Sequence, residues 1–325
     1  MKTFFLITLA AGGVCIAGLL LYTRRHSDEQ ETGSKGLEAP QMLIPGEAKE
    51  LLPLESSAQL DTKLVRECSG FARSRKYPEI YWTISDSGAP PNIYAMRADG
   101  SIIKPPGAGK NYQGIRVKGA TNIDWEAICL GHDGRLIVAD TGNNTNSRQN
   151  LALYIFPEPD PQKDAETETA HRVPVKFEQQ EQFPDPQKRY DCEAIFSHGN
   201  ELYAFTKRRK DTWTVLHRLK HSSAGVAVFT PVTAFNSRGM VTDAATSPDE
   251  HRLVVLTYHG IWLFELSPAG TPNPLSGPAW YARLQFPLNT WQVEAVAFED
   301  DSHLLIGSEQ GALYKLELSR LSKMR

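Results

Sequence analysis

The sequence predicts an all-β fold, a β-propeller of five four-stranded antiparallel blades, and three observations carry that expectation. A strand-turn-strand unit recurs as WEAICLGHDGRLIVAD from Trp125, CEAIFSHGNELYAFT from Cys192, TDAATSPDEHRLVVLT from Thr242 and VEAVAFEDDSHLLIGS from Val293, with an earlier, longer-turned copy from Glu67. The acid that opens each copy recurs at intervals of 59, 67, 50 and 51 residues, a length that accommodates four short strands and their turns. Beyond the N-terminus no stretch keeps a 3.6-residue apolar period. Six blades, with one unrecognised unit, is the alternative count.

Taken from the N-terminus, the first element is an apolar run over residues 4–22, preceded by Lys2 and followed by Arg24 and Arg25. About 20 apolar residues span a bilayer, so residues 1–25 read as an uncleaved membrane anchor or signal-like segment, and no small-residue cleavage pattern follows Tyr22. Lipid attachment at Cys15 is disfavoured by the bulky Val14 before it and by the continuing apolar run. Residues 26–48 turn polar, with Gly33, Gly36, Pro40, Pro45 and Gly46, and read as a tether. The propeller is expected over 49–325, on the periplasmic or extracellular side of the membrane.

Within each copy the first two strands flank a polar turn, and a third strand follows at residues 92–96, 151–155, 215–219, 260–264 and 312–316. Fourth strands are expected at 173–177 and 280–284. The last copy ends after three strands, so closing the ring requires a strand from elsewhere, and residues 49–55 are the expected donor.

The 325 residues are 41% hydrophobic and 22% charged with a net charge of −3, the balance of a globular chain. The only dense basic run is Lys207-Arg208-Arg209-Lys210, too little for a nucleic-acid footprint, and nucleic acid is not an expected partner. Cys68, Cys129 and Cys192 show no metal-ligand spacing and read as buried thiols.

In a propeller the first strand of each blade lines the central channel, and the second returns to the face where the first began. The opening acids Glu67, Glu126, Glu193, Asp243 and Glu294 should then form one ring at a channel mouth. Around it should come Asp86, Asp140, Asn143, Asn144, Lys207, His259 and Glu309. Converging carboxylates repel one another and need compensation. A hard cation such as Ca²⁺, with these five acids as ligands, would supply it. Backbone N–H groups donated from the adjoining blade are the competing explanation. Asp86-Ser87-Gly88 and Asp140-Thr141-Gly142-Asn143-Asn144 also satisfy the chemistry of tight turns, and the basic run that of a solvated loop.

The run SGFARSRKYPEIYWTISDSG, followed by NIDWEAI, VADTGNN with Arg148, LYIFPEP, YDCEAIF and YAFTKR, resembles a family of secreted or membrane-anchored bacterial β-propeller proteins over about residues 64–265. The resemblance implies the fold and export, and it brings no reaction with it. In architecture the chain is more distantly similar to calcium-dependent propeller hydrolases: phytase-like phosphatases, apyrases and lactonases. The five-bladed calcium apyrases place acids and serines on the innermost strands around an axial ion, a likeness of architecture that does not by itself carry a function.

Two functions follow as expectations. One is a non-catalytic binding or scaffold protein for a small-molecule or protein ligand, favoured by the absence of G-x-S-x-G, H-E-x-x-H and P-loop motifs. The other is a calcium-dependent hydrolase of phosphoesters, nucleotides or lactones, in which Glu126 and Glu193 hold the ion, Asp140 is the base and Lys207 binds the anion. Asp86, Asn143, Asn144, His259 and Glu309 would then contact the ligand.

Overall fold

The computed structural model describes residues 39–47, 51–221, 225–290 and 292–325. These form a five-bladed β-propeller. Blade 1 runs outward from the axis through Cys68–Arg73, Tyr81–Ser85 and Asn92–Met96 to two short outer strands, Ile102–Ile103 and Ile115–Arg116. Blade 2 comprises Trp125–Leu130, Arg135–Asp140, Ala152–Pro157 and His171–Phe177, and blade 3 Cys192–His198, Glu201–Thr206, Trp213–Lys220 and Ala227–Asn236. Blade 4 comprises Val241–Thr246, Arg252–Thr257, Gly260–Glu265 and Ala279–Gln285. Blade 5 has Val293–Phe298, His303–Ser308 and Ala312–Glu317. Each innermost strand packs against that of the next blade, and blade 5 returns to blade 1, so the ring is closed.

Strand alternation explains why these sequences make blades. In RLVVLT of blade 4, Leu253 and Val255 pack in the cluster shared with blade 3, whereas Val254 and Leu256 pack in the cluster shared with blade 5. Both faces of a blade are covered, so an inner strand reads as an unbroken apolar run. Each blade-to-blade gap has its own core; Trp82, Trp125 and Phe156 fill that between blades 1 and 2. Burying one such side chain contributes about 1.5–3 kcal/mol, so the clusters and not the turns hold the ring together.

The closing strand differs from expectation. Leu51–Pro53 runs parallel to Arg283–Gln285 on the outer edge of blade 4, and Ser56–Gln59 pairs antiparallel with Ala312–Tyr314 as the fourth strand of blade 5. The expected donor, residues 49–55, thus serves blade 4, and the closing strand of blade 5 is the segment just after it. The outer edges of blades 2 and 3 are joined as well, through parallel pairing of 175–177 with 227–229. The end of the expected tether lies along blade 3, where Met42 N donates to Ala234 O at 2.7 Å and Ala234 N to Pro40 O at 2.9 Å. The apolar run 4–22 and Cys15 lie outside the described residues, among which no helix is long and apolar enough to cross a membrane.

Candidate functional site

Near its start, each innermost strand carries a register shift against its partner. It falls at Glu126, Glu193, Thr242 and Glu294 in blades 2 to 5, and at Gly70 in blade 1. Such bulges re-aim a side chain. Pairing with the end of the second strand sets the equivalence: Cys68 opposes Ser85, Trp125 opposes Asp140, Cys192 opposes Thr206, Val241 opposes Thr257 and Val293 opposes Ser308. The next residue in each strand gives one structural level: Ser69, Glu126, Glu193, Thr242 and Glu294. The expected ring of five equivalent acids is thereby corrected, because Glu67 stands two positions before that level and Asp243 one after it.

Those offsets decide what the two acids do. Glu67 is exposed at the rim with φ +48°, and its carbonyl accepts a hydrogen bond from Asp86 N at 3.0 Å. Asp243 is fully buried, and its carboxylate accepts N–H from Val296 at 2.7 Å, Ala244 at 2.8 Å and Phe71 at 3.4 Å. Burial pushes its carboxyl up and these amides pull it back, with the first effect prevailing. Asp243 therefore joins blades 4, 5 and 1 through backbone donors. At the level above, the two hydroxyls also tie blades together: Ser69 Oγ donates to Glu126 O at 2.7 Å and Thr242 Oγ1 to Val293 O at 2.7 Å.

Glu126, Glu193 and Glu294 are brought together, each with an oxygen within 4.8 Å of the others and each at most 3% exposed. Lys207, itself buried, inserts its ammonium 2.9 Å from Glu193 and 3.5 Å from Glu294 and lies over the Tyr258 ring. Burial works against the Lys207 charge, but Glu193 and Glu294 hold its pKa well above the usual value. Tyr258 OH donates to Glu294 at 2.9 Å. Glu193 and Glu294 thus have a resident counter-charge.

Glu126 feels that charge only at longer range, where it pulls the carboxyl down in part. No hydrogen bond or ion pair reaches its carboxylate among the described residues, and it also forms a second triad, again within 4.8 Å, with the half-buried Asp86 and Asp124. Burial first, then Glu193 and Asp86, raises the Glu126 pKa well above the carboxylate range. Burial and Asp86 push Asp124 up to about 6, and burial with Glu294 pushes Glu309 up to about 8. Gly142 accounts for part of the geometry. A Cβ there would lie within 2.5 Å of the Asp124 carboxylate and closer still to Glu126 Oε1, so only glycine leaves the triad its space.

The remaining expected residues divide. Asp140 is buried behind Asp124, accepting its N–H at 3.0 Å and pairing with Arg148 at 2.8 Å. Asn143 joins blades 2 and 3 by donating N–H to Asp191 at 2.7 Å and its amide to Tyr190 O at 3.1 Å. Asn144 accepts from Arg209, which also pairs with Asp191 at 3.2 Å. Arg208 is held by Asp211 at 2.6 Å and Lys210 by Pro186 O at 2.7 Å, so these two are spent on local contacts, whereas Lys207 and, at 3.9 Å, Arg209 face Glu193. His259 is exposed in a side cleft of about 560 Å³ with Arg283 and is in neither triad, although Tyr258 of the same cleft reaches Glu294; burial of part of its ring and the Arg283 charge lower its pKa. Asp124 was missed by sequence reasoning, although its place two residues before the repeating acid, matched by Asp191 before Glu193, was the available signal. The three thiols are free and buried, and burial raises Cys68 and Cys192 to about 12.

Fold and site together define a five-bladed propeller with buried carboxylates gathered at one channel mouth. No family model matches the sequence, and comparison with curated proteins finds no match. Among solved structures, a chain of the mitotic checkpoint complex is similar at a TM-score of 0.35 and 13% identity, covering 76% of this chain and 63% of that one. The present chain thus spans less than two thirds of that chain's length, and the strand pairing described above, not this likeness, carries the fold.

Proposed function

We propose that the protein is an extracytoplasmic, membrane-anchored binding propeller whose channel mouth holds a hard divalent cation, Ca²⁺ by its chemistry, on Asp86, Asp124 and Glu126. The carrying observation is Glu126: a carboxylate 3% exposed, without a donor among the described residues, facing two further acids. A buried charge of this kind costs several kcal/mol unless paired. Oxygens bound to Ca²⁺ at 2.3–2.6 Å lie at most about 5 Å apart, and the triad falls within that limit. All-oxygen, all-carboxylate ligands select Ca²⁺ or Mg²⁺ over softer metals.

Lys207 offsets part of the inner pair's charge and Arg148 lies 4.0 Å from Asp124, so one ion suffices for the outer triad. Asp140, with Arg148, holds the Asp124 backbone. An ion bridging Asp86 of blade 1 to Asp124 and Glu126 of blade 2 stiffens the mouth and offers open positions to an anionic oxygen of a ligand. The apolar run 4–22 and the resemblance to anchored bacterial propellers support placement outside the cytoplasm, where affinities of about 10⁻⁴–10⁻³ M are adequate for calcium modules. Hydrolysis is the second reading, favoured by Asp124 and Glu309, whose pKa values of about 6 and about 8 suit proton transfer near neutrality.

The test is Ca²⁺ titration of the chelator-treated protein by calorimetry and thermal melting, repeated with Glu126→Gln. Saturation at about 100 Kd should add about 2.7 kcal/mol of stability. Glu126→Gln should abolish that gain while melting no lower than wild type in chelator. An unshifted wild-type melting temperature, with no heat of binding, rejects the cation. Assays on phosphoesters and lactones then separate the readings: turnover that requires Ca²⁺ makes the protein a hydrolase, and none leaves the binding role.

A further inference from the structure

The innermost strands carry the acids at their N-terminal ends and converge again at their C-terminal ends, on the opposite side of Asp243. There they enclose a second concavity of about 520 Å³. Each blade contributes a residue at one level of its innermost strand: Ala72 from blade 1, Cys129 from blade 2, Phe196 from blade 3, Ala245 from blade 4 and Ala297 from blade 5, with Leu130 and Phe298 just beyond. That level is apolar apart from the Cys129 thiol, whereas the level at the other mouth is acids and hydroxyls; one residue further out, Arg73 and Thr246 bring polar groups to the rim. The walls are inner strands of a closed ring, so the hollow is preformed, and its volume lies in the range of small-molecule sites.

One polar group on this rim lacks an ionic partner. Arg73 is half-buried, yet among the described residues its guanidinium has only a long contact, 3.5 Å to Phe298 O, and no carboxylate within ion-pair distance. The other rim charges are engaged. Arg75 pairs with Glu250 at 2.8 Å, Asp301 with Arg252 at 3.3 Å, and Asp300 accepts N–H from Ser302 at 2.7 Å and His303 at 2.8 Å. A guanidinium presents five donors in a fork suited to carboxylate, sulfonate or phosphate oxygens, and water in an apolar hollow is readily displaced.

We infer that this funnel binds a small molecule with an apolar body and a single anionic group, the body seated against the strand ends and the anion on Arg73. The site is independent of the acidic mouth and of any cation there.

Two fluorescent probes test it: anilinonaphthalene sulfonate and its uncharged twin N-phenylnaphthylamine, titrated against the full chain, Arg73→Gln, Ala245→Phe and Ala297→Phe. Both probes should bind wild type, the sulfonate more tightly. Arg73→Gln should weaken the sulfonate about fivefold and leave the neutral probe within about twofold, the scale of one partly exposed charge-assisted contact. Either phenylalanine, placed in the hollow from a different blade, should weaken both probes at least about tenfold. Melting curves confirm which filled variants are folded. Unchanged binding in a folded phenylalanine variant overturns the site, and equal affinities insensitive to Arg73→Gln overturn its anionic specificity.

Discussion

Glu126, Asp124 and Glu309 hold their protons more tightly than free carboxyls because each is removed from water beside other acids. A carboxyl whose pKa is raised on folding stabilises the native state below its unfolded value, near 4, and loses that contribution as pH rises through its folded value. With folded values of about 6 for Asp124 and about 8 for Glu309, the loss falls between about pH 4 and pH 8. In chelator the melting temperature should therefore fall as pH is raised from 5 to 8. Saturating Ca²⁺ should flatten that slope, since the ion replaces the protons. A melting temperature in chelator that rises over this interval would contradict the assignment. Lys207 permits a second check. Lys207→Met leaves Glu193 and Glu294 facing each other with only Arg209, 3.9 Å from Glu193, as counter-charge and should cost about 3–5 kcal/mol in urea denaturation, the range for breaking a buried pair. With the ion on the outer triad, Ca²⁺ should recover about as much stability in this variant as in wild type; a markedly larger recovery would place the ion at the inner pair instead. Lys207 was legible as a candidate because it follows a strand end, but its burial was not, since a Lys-Arg-Arg-Lys run reads as solvated.

At the scale of the strand, a single residue of register separates a candidate ligand from a structural clasp. Asp243 and Glu126 occupy the same place in the repeated sequence, each followed by Ala and an apolar run. Because Val241, not Thr242, opposes the end of the second strand, Asp243 falls one position deeper and meets three backbone donors. Asp243→Asn substitutes an amide for one accepting oxygen and turns a donor toward donors, which should destabilise the protein by about 2–4 kcal/mol, from the cost of leaving buried N–H groups without acceptors. Its response to Ca²⁺ should be unchanged in urea titrations at saturating ion. Loss of the response would return Asp243 to the cation site. The repeat in the sequence was enough to give strand order, blade number and most strand positions, because period-2 burial against two neighbours leaves an unmistakable apolar run. The bulge that resets the register left no such trace, since it changes which way a residue points without changing its type.

For the whole molecule, stability depends on how the ring is closed. Sequence reasoning required a donated strand because the last repeat holds only three, and the requirement holds. The donor was misplaced because Leu51, Leu52 and Leu54 form the more apolar segment, while Ser56–Gln59, with no large apolar side chain, makes the closing pair. The backbone decides this step: pairing covers the open edge of Ala312–Glu317, and Leu60, buried just beyond, continues the link through its N–H to Gly311 O at 2.8 Å. Truncation separates the two strands. A chain beginning at residue 55 loses the segment 39–47 along blade 3, the pairing with blade 4 and the burial of Leu52 and Leu54, the last two side chains alone about 3–6 kcal/mol as an upper estimate from side-chain transfer, but keeps a closed ring. A chain beginning at residue 61 loses the closing strand as well and exposes an edge strand that can pair with other copies. The first should unfold in one urea transition at a lower midpoint. The second should unfold in separate steps or form oligomers on size-exclusion chromatography, because an open ring lets blade 5 detach from blade 1. A chain starting at residue 61 that remained monomeric and unfolded cooperatively at the midpoint of the residue-55 chain would show that the five interblade cores hold the ring without a closing strand.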